Sequence, residues 1–175
     1  MAEADRHRPP ADLPLTPAQT VGPFLHLALA DPALRRPALA DDAAALTIRG
    51  HVVDGDGAAV PDAVVETWQH GGPFTRCATD DEGSWEIRTC RPVGVPTRDG
   101  TPQAPHLAVS VFARGLLDRV VTRLYLPDEP ANGHDPTLAA AGDRAATLVA
   151  RADGPGAVRF DIHLQGPDES VFFAV

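Results

Sequence analysis

The residue types that could bind a metal ion stand closest together in one short apolar stretch. His106 begins it, and residues 106–112 alternate in the manner of a β-strand. In a strand, residues two apart point to the same face, so a His-x-His pair here would present two imidazoles to one ion. Position 108 is alanine, however, and a single imidazole is a poor site for a metal ion. The pattern favours a lone strand histidine that is satisfied by a hydrogen bond.

Other chemical motifs are weak or missing. Asp161 and His163 share a strand face, but Phe160, Ile162 and Leu164 alternate with them as the expected buried set, which indicates a polar, solvated face. The sequence has no His-Glu-x-x-His, no Gly-x-Ser-x-Gly elbow and no phosphate-binding glycine loop. The remaining histidines also lack a metal-binding spacing; they stand at positions 7, 26, 51, 70 and 134.

The composition narrows the class of protein. The 175 residues include 15 basic and 24 acidic side chains, a net charge of −9, and every basic residue is arginine. Such a surface repels nucleic-acid phosphates and anionic lipid, so we expect neither partner. No apolar run approaches the roughly 18 residues of a membrane span, and we predict a cytoplasmic protein. Cys77 and Cys90 are too few for a disulfide framework and should remain thiols in that compartment.

The elements that must position these residues are short strands. The period of two predicts strands at 46–53, 64–69, 74–79, 84–90, 106–112, 120–126 and 158–165. Residues 74–79 and 84–90, joined by Asp80-Asp81-Glu82-Gly83, are typical of a β-hairpin. Regular short strands with little helix predict an all-β fold, an antiparallel β-sandwich.

The ends of the chain differ from its middle. Residues 1–40 are rich in proline and predict an irregular N-terminal arm, and 41–175 predict the sandwich domain. One alanine-rich run, 138–149, is prone to helix. The apolar C-terminus, 171–175, and the arm are interpreted as surface that another chain covers.

The segments 105–115 and 122–126 resemble the intradiol ring-cleavage dioxygenases. In the catalytic chains of that family the first segment reads Pro-His-x-His, and both histidines bind ferric iron with two tyrosinates. The second histidine is Ala108 here, and one tyrosine position, in a segment aligned with 92–96, is Val95. The other tyrosine falls in a loop that this chain shortens to 70–73, where contacts with a partner would differ. Tyr125 is the only tyrosine. The resemblance therefore implies the scaffold of the enzyme without its metal.

A closer resemblance is to the non-catalytic alpha subunits of the hetero-oligomeric members. It rests on the segments 16–24, 112–115, 159–162 and 165–173. It implies that a homologous beta subunit binds Fe(III) and that each active site lies between the two subunits. It implies protocatechuate and O2 as substrates and 3-carboxy-cis,cis-muconate as product.

The same resemblance implies which residues border the substrate pocket. These are Thr20, Gly22, Pro23 and Arg114, with no metal ligand and no catalytic residue in this chain. Protocatechuate carries a carboxylate, and a guanidinium is a good donor to an anion in a partly desolvated site. The simpler interpretation of Arg114 is a surface arginine in the turn before Gly115.

Two other functions are compatible with parts of the chain. Residues 50–89 also resemble the prealbumin-like sandwiches that serve as binding or structural modules of extracellular proteins. An autonomous dioxygenase is the other alternative, and the single tyrosine argues against it.

Overall fold

Two β-sheets packed face to face form the body of the protein. The computed structural model describes residues 16–39, 45–96 and 102–174. The first sheet has the order β4-β1-β8-β7, with β9 also paired to β1, and the second has the order β3-β2-β5-β6. The strands are β1 (Ala45–Val53), β2 (Val64–Trp68), β3 (Thr75–Ala78), β4 (Ser84–Cys90), β5 (His106–Phe112), β6 (Val120–Tyr125), β7 (Arg151–Ala152), β8 (Ala157–Arg159) and β9 (Ile162–His163). The prediction of a β-sandwich with little helix is confirmed.

The core lies between the sheets because the longer strands, such as β1 and β4, alternate buried residues with more exposed ones. Ile48, Trp85 and Ile87 face it from the first sheet, and Leu107 and Val109 face it from the second. All five are at most 1% exposed. Each such side chain stabilises the fold by about 1.5–3 kcal/mol relative to exposure.

The predicted hairpin of 74–79 and 84–90 is wrong, although its turn forms. The Asp80 carboxylate accepts a hydrogen bond from the Ser84 backbone N–H at 2.7 Å, and Gly83 has a φ of +71°. However, β3 pairs with β2 and β4 pairs with β1, so the turn carries the chain from one sheet to the other. This crossover lets both arms direct an apolar face into the same core.

The two cysteines are free thiols in different environments. Cys77 is buried on β3, and Cys90 is half-buried at the end of β4. Burial raises the pKa of the Cys77 thiol to about 11. We therefore expect Cys77 to remain protonated and unreactive at neutral pH.

The predicted strand 158–165 is divided into β8 and β9. Both pair with β1 in parallel, unlike the antiparallel pairs elsewhere. Between them the backbone of Phe160 runs beside Gly50 of β1, where a Cβ atom would lie 1.8 Å from the Phe160 carbonyl oxygen. Glycine at position 50 is thus required by the close approach of two backbones.

Helices occupy the edges of the sandwich. In the arm, residues 16–39 contain α1 (Leu25–Leu29) and α2 (Pro32–Arg35); residues 1–15 and 40 lie outside the described part. The predicted helical run forms α3 (Pro136–Ala141) and a 3₁₀ segment, Gly142–Leu148. Among the described residues, none of the helices combines the length and apolar character that crossing a membrane requires.

The C-terminal segment is not a fully open surface, since residues 171–173 are half-buried on their own domain, whereas Ala174 is exposed. Phe172 packs against the main core, and Val171 and Phe173 pack against a smaller cluster around Tyr125 and Leu148. The Phe173 N–H also donates to the Val121 carbonyl at 2.8 Å. These three side chains are thus partly covered by their own domain and partly open to water. Val175 lies outside the described residues.

Candidate functional site

Part of the predicted substrate-contacting set comes together where the arm meets the β5–β6 turn. The Thr20 hydroxyl accepts a hydrogen bond of 2.7 Å from the backbone N–H of Gly115. Gly115 can turn the chain here because it adopts a φ of +92°. Thr20 is therefore held beside Arg114, 94 positions away in the chain. Gly22 and Pro23 are exposed and follow directly in the arm.

A small cavity of about 200 Å³ opens next to this contact. Val21 of the arm forms one side, and Leu116 and Leu117 of the turn form another. Phe112, Ala113, Asp118 and Arg119 complete the lining. The cavity is too small for a drug-sized ligand, but it lies at a mostly apolar junction that could receive a protruding side chain.

Arg114 is ion-paired, which the sequence did not indicate. Its Nη2 lies 2.9 Å from Asp62 Oδ2, and its Nε donates to Asp62 Oδ1 at 3.3 Å. The Arg114 side chain is 54% exposed, whereas that of Asp62 is only 18% exposed. The two-point contact orients the guanidinium while leaving it accessible. No local sequence pattern links residues 52 positions apart.

The second region of interest is the strand face of His106. In the register of β5 and β6, His106 lies opposite Tyr125, and Ala108 lies opposite Arg123. Directly opposed residues of an antiparallel pair share a face. His106 is buried, its Nδ1 is 2.8 Å from the Ala104 carbonyl, and its ring centroid is 5.3 Å from that of Tyr125. The expected hydrogen-bonded strand histidine is confirmed.

Polar side chains fill this face. Arg123 Nη1 donates to the Tyr125 hydroxyl at 3.2 Å and to Thr137 Oγ1 at 3.0 Å. The Tyr125 hydroxyl donates to Asp135 Oδ1 at 3.1 Å. Burial raises the pKa of Tyr125 above its ordinary value, and burial, aided by the Arg123 charge, lowers that of His106. Both residues are thereby held neutral.

These residues do not fit a ferric ion. Ala108 and Val95 carry no donor atom, and the link between β2 and β3 contains no tyrosine. The Tyr125 hydroxyl is engaged with Asp135, and its raised pKa opposes the tyrosinate form. Within the ranges 16–39, 45–96 and 102–174, no group of three or more His, Cys, Asp or Glu could hold a metal ion.

The predicted polar face of Asp161 and His163 is not only solvated, because Asp161 also makes hydrogen bonds within the protein. Asp161 accepts hydrogen bonds from the His51 N–H at 3.0 Å and from Arg159 Nε at 2.9 Å, and its side chain is 26% exposed. Arg159 Nη2 also lies 2.8 Å from His51 Nδ1. Arg159, Asp161 and His163 border a polar cavity of about 530 Å³. Mixed charges line it, so it does not select one sign of ligand.

Asp161 should make stability depend on pH. Burial opposes ionisation of Asp161, but the hydrogen bonds from Arg159 and His51 outweigh it, so its pKa lies below the ordinary value. The ionised Asp161 carboxylate therefore stabilises the folded protein above about pH 3.9, which is the pKa of an aspartate in the unfolded chain. This stabilisation is lost as the pH falls through the lower pKa of Asp161 in the folded protein. We expect Asp161→Asn to cost about 0.5–1.5 kcal/mol at pH 7 and progressively less in acid.

Urea unfolding at pH 7 and in steps below pH 4 measures this difference. Asp168→Asn is the matched control, because Asp168 is exposed at the same cavity. It should leave the free energy of unfolding unchanged. A cost for Asp161→Asn that stays constant down to the acid transition would contradict the prediction.

Comparison with known proteins identifies relatives that are similar to this chain over most of its length. No protein-family model matches the chain. It is 38% identical to the protocatechuate 3,4-dioxygenase alpha chain of Pseudomonas putida, covering 92% of this chain and 96% of the relative. It is 36% identical to the alpha chain of Burkholderia cepacia, covering 91% and 97%. The Burkholderia cepacia beta chain is 29% identical over 70% of this chain and 65% of its own length.

Solved structures agree at the level of fold. A dioxygenase domain from Streptomyces sp. SirexAA-E matches with a TM-score of 0.57 and 24% identity, covering 75% of this chain and 87% of that domain. Hydroxyquinol 1,2-dioxygenase from Pseudomonas putida DLL-E4 matches with a TM-score of 0.59 and 20% identity, covering 74% and 59%. The β-sandwich is that of the intradiol ring-cleaving dioxygenases.

The full-length relatives define the family more narrowly. The chain belongs to the family of protocatechuate 3,4-dioxygenase alpha chains, subunits of oxidoreductases that open aromatic rings by intradiol cleavage. The alignment with the Pseudomonas putida chain spans 194 positions, more than the 175 residues of this chain, so the relative has residues that this chain lacks. The prealbumin-like binding module is disfavoured because the similarity runs through the whole sandwich.

Proposed function

We propose that this chain is the non-catalytic alpha subunit of a protocatechuate 3,4-dioxygenase and that a homologous beta subunit binds the iron. The incomplete donor set around His106 is the observation that carries the proposal. A ferric site needs several ligands, including anionic oxygens, and this face offers one imidazole. The existence of both alpha and beta chains among the relatives supports an alpha-beta assembly.

The reaction of the assembled enzyme would join protocatechuate and O2. Both oxygen atoms enter the product, and the ring bond between the two hydroxyl-bearing carbons breaks, giving 3-carboxy-cis,cis-muconate. Ferric iron, if bound by the partner, would supply the chemistry that lets the aromatic ring react with O2. This chain contributes binding and orientation, so its own residues transfer no proton or electron.

Thr20, Gly22, Pro23 and Arg114 are proposed to border the partner's pocket. The hydrogen bond between Thr20 and Gly115 holds the arm against the turn that carries Arg114. Asp62 restrains the guanidinium, which is half-exposed and therefore available to an anion. We assign it to the carboxylate of protocatechuate, since a charged hydrogen bond is strongest where water is excluded.

Exposed apolar side chains of the arm and of the turn support a protein partner. Phe24 and Leu27 of the arm are 73% and 69% exposed, and Leu117 of the turn is 61% exposed. Large apolar side chains that are open to water mark contact surfaces when they cluster. We propose that residues 1–40 act as a docking arm for the beta subunit and that 41–175 form the sandwich domain. The acidic composition supports a cytoplasmic location.

Co-expression with a beta homologue tests the assembly. An affinity-tagged form of this chain should retain the beta chain in equal amount through size-exclusion chromatography. Phe24→Ser combined with Leu27→Ser should weaken the association by at least about tenfold, because burial of two large apolar side chains is lost.

Val93→Ser is the matched control, since Val93 is also apolar and 54% exposed but lies outside the arm. It should leave the association unchanged. Two chains that elute separately at micromolar concentration would contradict the proposed pairing. Association that survives the double substitution would remove the arm from the interface.

A further inference from the structure

Arg123 is the centre of the polar network on the His106 face. Its Nη1 lies within hydrogen-bond distance of three oxygens, which share its two N–H groups: Gln103 Oε1 at 3.2 Å, the Tyr125 hydroxyl at 3.2 Å and Thr137 Oγ1 at 3.0 Å. Its Cζ lies 5.7 Å from the centroid of the Phe173 ring. The guanidinium is therefore fixed from several directions, unlike an arginine that extends into water.

A buried carboxylate nearby explains why a cation is held there. Asp135 is 1% exposed. Its Oδ1 accepts from the Tyr125 hydroxyl and from the N–H groups of Thr137 and Leu138, and its Oδ2 accepts from the Ala104 N–H at 2.8 Å. Burying an ionised carboxylate is costly unless charge compensates it. Arg123 reaches it through Tyr125 and Thr137.

The same face holds an imidazole that could otherwise bind a metal. The Nδ1 atom of His106 faces the Ala104 carbonyl, so the neutral ring carries its proton there. Its Nε2 atom then keeps a free electron pair, as in metal-ligating histidines that are oriented by a backbone carbonyl. Arg123 lies opposite Ala108, the neighbour of His106 on this face.

We infer that the guanidinium of Arg123 provides the positive charge on this face and thereby prevents a metal ion from binding beside His106. The guanidinium compensates the negative charge of the buried Asp135 carboxylate. It also repels any metal ion that approaches His106. The loss of metal binding would then have two independent causes, the missing donor at position 108 and the added charge at position 123. This inference concerns the chain by itself and does not rest on the proposed pairing.

Placing a histidine at position 108 separates the effect of the missing donor from the effect of the Arg123 charge. The full chain is prepared as wild type, Ala108→His, and Ala108→His/Arg123→Gln, and each is titrated with Co(II) while visible absorption and calorimetry are followed. Ala108→His alone should bind no better than wild type. The double variant should bind one Co(II) at least about tenfold more tightly, a change of the size that groups around metal ligands produce.

Further variants distinguish charge from hydrogen bonding and from misfolding. Ala108→His/Arg123→Lys keeps the charge and should bind as weakly as the single variant. Ala108→His/Arg151→Gln removes a charge from exposed β7 and should also bind weakly. Arg123→Met, which preserves packing under Phe173, replaces Arg123→Gln if circular dichroism shows that the latter is unfolded. Tight Co(II) binding by Ala108→His alone, or none by a folded neutral double variant, would overturn the inference.

Discussion

Replacing Arg114 with alanine should slow turnover of protocatechuate by the assembled enzyme and leave assembly and iron content unchanged. If the guanidinium makes a charged hydrogen bond to the substrate carboxylate, its loss costs about 1.5–3 kcal/mol, or roughly ten- to 150-fold in kcat/KM. Steady-state kinetics with protocatechuate and with catechol measure the effect. Catechol lacks the carboxylate and should be affected much less.

Arg119→Ala is the matched control, because Arg119 is an exposed arginine of the same turn. It should leave both substrates unaffected. Equal losses on protocatechuate and catechol for Arg114→Ala would indicate that Arg114 orients the partner's residues instead of the substrate. Unchanged kinetics on both, with assembly confirmed, would return Arg114 to the class of surface arginines held by Asp62.

Asp135→Ala should produce the largest loss of stability. The carboxylate is 1% exposed and accepts four hydrogen bonds, so its removal leaves buried donors and the Arg123 charge without compensation. Breaking a buried charged network in this way costs about 3–5 kcal/mol. Thermal and urea unfolding measure it.

Asp118→Ala is the control, since Asp118 is exposed in the β5–β6 turn. Its melting temperature should match that of the wild type. A melting temperature of Asp135→Ala that also matches the wild type would show that the network around Arg123 contributes nothing to stability.

The alternation of apolar and polar residues along the sequence was sufficient to predict the positions of most strands. The predicted 106–112 coincides with β5, and 46–53 and 64–69 differ from β1 and β2 by one residue at an end. Alternation reports which residues face the core, and that information is contained in the strand itself. Alternation does not report the partner of a strand. The arms 74–79 and 84–90 therefore form strands in different sheets, and 158–165 is divided where its backbone approaches Gly50 closely.

In the candidate site, too, features set by neighbouring residues could be predicted, whereas contacts between distant residues could not. The missing donor at Ala108 could be predicted because strand geometry relates positions 106 and 108 directly. The contacts of Arg114 with Asp62 and of Thr20 with Gly115 join residues that are far apart in sequence, and no local pattern indicates them. Arg123 gave no usable signal either. It is a charged residue in a strand, and the sequence alone does not show that its outward face is covered by Asp135 and α3.

Iron analysis of the separated and assembled chains tests the proposed division of labour most directly. The purified chain, the beta homologue and their complex are compared by elemental analysis, visible absorption and ring-opening activity on protocatechuate. We expect no stoichiometric iron and no colour in this chain alone, because Ala108 and Val95 offer no donor atoms. The complex should contain one iron for each alpha-beta pair and form 3-carboxy-cis,cis-muconate. A tyrosinate-to-iron absorption band with one iron per isolated chain would contradict the account.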